Sequence, residues 1–92
     1  MQPPPLDPPI ADTAPSDAIV TGYDEQHLIV YLRLLDADTE DADWREVARV
    51  VLRLNLDREP DRAKAIWKSH LARAKWMSEN GYIHLLNGGA PH

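Results

Sequence analysis

Apolar residues recur at helical spacing in three stretches of the chain. The longest lies between Pro60 and Gly81. At about 100° per residue, Ala63, Ile66, Trp67, His70, Leu71, Ala74 and Met77 fall on one side and form a stripe that demands burial. Pro60 suits a first helical turn, where its missing N–H is no loss. Asn80-Gly81 supplies a stop, because glycine takes the left-handed conformation that closes a helix end. A second helix is predicted over about Trp44–Leu54, with Trp44, Val47, Ala48, Val51 and Leu54 inward and Arg45, Arg49 and Arg53 in a solvent stripe. The first is predicted over about Glu25–Leu35, after a turn at Thr21-Gly22-Tyr23 and with Asp24 as N-cap. Leu28, Tyr31, Leu32 and Leu35 form its main face. Ile29 and Val30 make it apolar almost all round, with Arg33 the exception. Such a helix is enclosed by its neighbours or carries a partner site.

The pattern therefore predicts an all-α fold, a small three-helix domain over residues 21–87. Residues 1–20 read as a disordered arm, because six of the eight prolines fall in the first fifteen positions. Residues 88–92 read as a disordered tail. Tyr82–Leu86 alternates too briefly for a strand and reads as an extended segment packing Ile83 or Leu85 onto the bundle. The Leu54–Pro60 connection between the second and third helices resembles a helix-turn-helix with a long turn that lacks glycine.

Charge changes the picture more through its placement than through its total of −5. From Met1 to Asp43 ten acids face one base, a balance of −9; Trp44–Pro60 carries +1, and the chain from Asp61 onward +3. Asp36, Asp38, Glu40, Asp41 and Asp43 crowd one short segment. They read as a solvated loop whose last Asp caps the next helix, and also as a patch that repels nucleic acid and attracts a basic partner. With no cysteine, thiol and disulfide chemistry are excluded, and the cytoplasm is the expected location. The N-terminus has no secretion-signal pattern, and the longest apolar run, Leu28–Leu32, is far too short to span a membrane.

Catalysis finds no foothold. His27, His70, His84 and His92 are scattered without metal-ligand spacing, Gly88-Gly89 lacks the rest of a phosphate loop, and no nucleophile stands beside a base. His70, on the buried stripe, reads as a hydrogen-bonded core residue. No cofactor, metal, small-molecule substrate or membrane is expected.

Three segments, YDEQHLIVYLRLLDA (Tyr23–Ala37), DWREVARVVL (Asp43–Leu52) and EPDRAKAIWKSHLARAKWMSENGYIHLL (Glu59–Leu86), resemble a proteobacterial family first described as a domain of unknown function. That family occurs in regulators of integrative and conjugative elements. The resemblance covers about Tyr23–Leu86 and implies a helix-turn-helix variant with an extended turn. It also implies one of two functional types. Activators of the FseA kind carry an additional N-terminal domain and a positive DNA-binding face. Short stand-alone members of the QseM kind are acidic antiactivators, which bind the activator's N-terminal domain and a TraR-type quorum-sensing regulator and so keep excision and transfer genes off. This chain, acidic and with only residues 1–20 ahead of the domain, resembles the second type.

The leading expectation is thus a protein–protein regulator, monomeric when free, whose partners are transcriptional activators of a mobile element and whose own DNA binding is weak or absent. Candidate contacts are Ile29, Val30 and Arg33 on the first helix, and Ala65, Ser69, Ala72 and Trp76 on the third, an aromatic anchor beside small residues. Trp76 packing beneath the Tyr82–Leu86 segment is an equal alternative. Asp36, Asp38, Glu40, Asp41 and Asp43 would steer a basic partner. The alternative is a DNA-binding regulator that contacts phosphates through Arg45, Arg49, Arg53, Lys64, Lys68 and Lys75. A dimerisation module is a third reading.

Overall fold

The computed structural model describes residues 8–81, and among them the fold is all-α. Four helices are present where three were expected: α1 (Gly22–Gln26), α2 (Leu28–Thr39), α3 (Trp44–Val50) and α4 (Pro60–Trp76), followed by a π-helical turn, Met77–Gly81. The expected first helix is divided at His27, whose φ of −111° and ψ of 18° leave the helical basin. The His27 ring turns inward and bonds the Tyr23 carbonyl, which accompanies the break.

Asp24 is not the N-cap. Thr21 is: its hydroxyl accepts from the Asp24 amide, and the Asp24 carboxylate reaches back to the Thr21 amide in a capping box. The Thr21–Tyr23 turn is accordingly a cap and the start of α1. At the far end, α2 runs one turn into the acidic segment, so Asp36 and Asp38 are helical rather than in a loop. It closes in a Schellman arrangement, Ala42 and Asp41 amides bonding the Ala37 and Asp38 carbonyls, with Asp41 left-handed at φ 61°. Asp43 does cap α3, accepting from the Arg45 amide.

Helix α3 stops four residues earlier than the periodicity predicts. Arg53 adopts φ 57°, and the Leu52 and Leu54 amides bond back to Val47 and Ala48. Leu52 consequently takes the buried position expected of Leu54, which is only half-buried. Residues 51–59 form the extended connection to α4, where Pro60 occupies the first turn as expected.

The core lies where α2 and α3 pack on α4. Val30, Tyr31, Leu34, Val47, Leu52, Ile66, Leu71, Ala74 and Met77 are buried there, and half-buried Trp44 and Trp67 meet with ring centroids 6.0 Å apart. The inward stripe of α4 matches the sequence reading. That of α2 does not: Leu32 is 58% exposed, whereas Val30, expected on the surface as a contact, is 1% exposed. The run Leu28–Leu32 is apolar almost all round, so its pattern does not say which side turns inward.

Residues 8–20 also depart from expectation. They have no regular secondary structure, yet Pro8 and Ala14 are buried and the segment is bonded to the body along its length. Residues 1–7 lie outside the described residues. So do Tyr82–Leu86, Ile83 and Leu85 included, and the 88–92 tail. No helix among the described residues is long and apolar enough to cross a membrane.

Candidate functional site

Helix α4 organises the functional surfaces because each of its sides meets something different. One side is core. A second holds the arm: Arg62 pairs with Asp12, Ser69 accepts from the Ala14 amide, and Arg73 donates to the carbonyls of Asp17 and Ile19. The remaining surface carries Asp61, Lys64, Ala65, Lys68, Ala72 and Lys75, all exposed, with half-buried Trp76 at its edge.

The arm rests on a buried polar cluster. Arg73, 4% exposed, donates Nε and Nη2 to the two carboxylate oxygens of Asp24, which is 0% exposed, at 2.9 and 2.6 Å. Burial alone would push the Asp24 carboxyl up. The hydrogen bonds from Arg73, Thr21 and Tyr31 outweigh it, and the group lies below its ordinary value. Arg73 is raised in turn, chiefly by its hydrogen bonds to Asp24. Tyr31 donates to Asp24 at 2.7 Å, and burial together with that bond pushes its phenol well up. Beside them, His70 donates Nδ1–H to the Ile66 carbonyl, leaving Nε2 to accept from the Tyr23 hydroxyl at 2.6 Å. The Tyr23 oxygen accepts in turn from the Ala11 amide. Burial lowers His70, which fits a neutral ring in this chain of bonds. His27 faces the Tyr23 and Pro9 carbonyl oxygens at 2.6 and 2.7 Å, fastening the arm's first turn. No buried side-chain polar atom among the described residues lacks a partner. The cluster is structural: every group is consumed internally.

The basic residues divide into two sets. Arg62 is held by Asp12 and Glu59, Arg73 by Asp24, and Lys75 by Asp38 at 3.5 Å. Arg45 leans over the Trp44 ring at 5.1 Å, with Asp43 at 3.8 Å. Lys64 covers the same ring at 5.6 Å. Arg45 and Lys64 therefore converge on Trp44, and Lys68 follows Lys64 one turn later on α4. This small cationic corner joins α3 to α4. Arg49 is exposed on α3. Arg53 has left the helix and its row.

Over residues 9–87 the sequence matches the RovC_DNA-bd family, described as T6SS, Transcription factor, DNA binding domain. The chain belongs to this family. It is a DNA-binding-type domain of transcription regulators, and the RovC_DNA-bd match takes in the arm from Pro9 onward, beyond the Tyr23–Leu86 segments that carried the sequence resemblance. A search of curated proteins finds no match.

The structure scatters the contacts expected from sequence. Ala65 and Ala72 are exposed on α4, while Ser69 is engaged by the arm. Trp76 carries the Arg73 guanidinium 4.0 Å above its ring. Arg33 is exposed and Ile29 half-buried on α2; Val30 is core. Glu40, Asp41 and Asp43 remain exposed at the α2–α3 junction. The Asp24–Arg73 pair went unnoticed in the sequence. Arg73 lies seven residues after Ile66 on the same side of α4, and its inward placement was the available signal.

Proposed function

We propose that this RovC_DNA-bd domain regulates transcription by binding another protein. In this reading it is an antiactivator that engages transcriptional activators of an integrative and conjugative element, the N-terminal domain of an FseA-type activator and a TraR-type quorum-sensing regulator, and so represses excision and transfer. The carrying observation is the neutralisation of α4. Of its five cationic side chains, Arg62, Arg73 and Lys75 are paired to carboxylates, which leaves Lys64 and Lys68 as the two with no carboxylate in ion-pair range among the described residues. A net charge of −5 then opposes approach to a polyanion. The helix-turn-helix scaffold is kept, and its electrostatic qualification for DNA is largely removed.

The family description supports a second reading more directly, that the domain itself binds DNA. The corner of Arg45, Lys64 and Lys68 is the surface that would do so, with about three phosphate contacts and a salt slope near −3. Two measurements decide. Anisotropy of labelled promoter duplexes at 50 and 200 mM salt should show no sequence-specific binding by the domain alone. Pull-down should show capture of the activator, dependent on the activator's N-terminal domain. Operator footprinting by the isolated chain, with no activator capture, would defeat the antiactivator reading.

A further inference from the structure

A groove of about 410 Å³ runs between α2 and the end of α4. Leu28, Leu32 and Leu35 form its wall, and Tyr31, Ala74 and Met77 its floor. Leu32, at 58% exposure, has one of the most exposed large apolar side chains among the described residues. The spacing of Leu28, Leu32 and Leu35 down one side of α2 is that of a ridge against which a second helix packs.

The charge at the α2 end of this groove is mainly negative, with Lys75 the neighbouring cation. Asp36 follows Leu32 by one turn on α2, so the two share a face. Asp36 is exposed. Helix α2 has no basic residue in its last turn, where the unbonded carbonyls already make a partial negative charge. Asp36, Asp38, Glu40 and Asp41 add to that end, and among the described residues only Asp38 is answered by a base, Lys75. An apolar trough ending in an uncompensated negative pole matches a helix with an apolar face and flanking Lys or Arg.

The geometry points to the α2–α4 groove as the docking site for a basic amphipathic helix of a partner protein. The inference rests on the antiactivator reading and names the surface and the partner chemistry that reading leaves open. It moves the anchor from Trp76 to Leu32, and it gives Asp36 the steering role.

The test titrates the FseA-type activator's N-terminal domain into the isotope-labelled full chain and follows amide shifts. Binding constants are measured for wild type, Leu32→Glu, Trp76→Ala and Asp36→Lys. Leu32 and Asp36 are exposed, so both variants should keep the wild-type circular dichroism melt. The expected result is shifts centred on Leu28, Leu32, Leu35 and Met77, a loss of at least tenfold for Leu32→Glu, and a slower association rate with weaker salt dependence for Asp36→Lys. Binding that leaves these amides unmoved and is indifferent to Leu32→Glu overturns the groove while the antiactivator reading stands. Shifts at the groove caused by the chain's own residues 82–92, shown by their disappearance on truncation at Gly81 without loss of partner affinity, overturn it equally. No binding by any of the proteins overturns both.

Discussion

Replacing Arg73 with Met tests the buried cluster most directly. The guanidinium makes two bonds to Asp24 and one each to the Asp17 and Ile19 carbonyls. Methionine fills much of the same space but strands a carboxylate that is 0% exposed. Removing one partner of such a pair costs about 3–5 kcal/mol, because the remaining charge stays buried without compensation. A domain of this size has total stability near the low end of the usual ~5–15 kcal/mol, so the variant should be at the edge of unfolding. Urea titration followed by tryptophan fluorescence measures this. With a slope of about 1 kcal/mol/M, the midpoint should fall by about 3 M or more. Adding Asp24→Asn removes the stranded charge while an amide oxygen can still accept from Thr21 or Tyr31, so the double variant should regain about 2 kcal/mol. A midpoint shift under about 1 M, or a double variant no better than the single, would refute the claim that this pair organises the fold.

Three further outcomes follow from the same geometry. Burial lowers His70 below its unfolded value of about 6.5, so its neutral form favours folding fully above that pH and progressively less as pH falls towards the folded value. The stability gap between wild type and His70→Gln should therefore shrink between pH 7 and pH 5, and a gap that widened would contradict the assignment. Tyr23→Phe removes the hydroxyl that links His70 to the Ala11 amide, so hydrogen exchange should quicken across residues 10–14 while the α4 core stays protected; unchanged exchange would mean the arm is held by other contacts. Trp76→Ala removes a ring stacked on Arg73 at 4.0 Å, and should lower stability by about 1–2 kcal/mol without unfolding the chain; a loss of cooperative melting would place Trp76 in the core.

The long helix was legible because its apolar stripe is uninterrupted and Pro60 marks its start. The inward positions Ala63, Ile66, His70, Leu71, Ala74 and Met77 are those the period picks out. The inward side of the first helix is not legible for a physical reason: an almost wholly apolar run carries no phase, so the pattern does not tell Val30 from Leu32. The early end of α3 depends on Arg53 adopting a left-handed backbone that arginine seldom takes, and no propensity announces it. The ordered arm was hidden because all its anchors but Asp12 are backbone amides and carbonyls, which every sequence possesses. Its partners on the body, Tyr23, His27, Ser69 and Arg73, are individually unremarkable. The basic residues of α4 were visible in the sequence, but the pairing of Arg62 with Asp12, Arg73 with Asp24 and Lys75 with Asp38 is a long-range fact of the fold.

Arg53 has one more consequence. Its left-handed backbone costs a side-chain-bearing residue about 1–2 kcal/mol, and the helix it terminates is only seven residues long. A segment that short persists only while docked, and here the docking is done largely by Val47, Ala48 and Leu52. Helix α3 is therefore expected to open locally ahead of global unfolding, with partial relief of that strain. Each opening would part Trp44 from Trp67 and draw Arg45 away from Lys64, so the cationic corner lasts only while α3 stays docked.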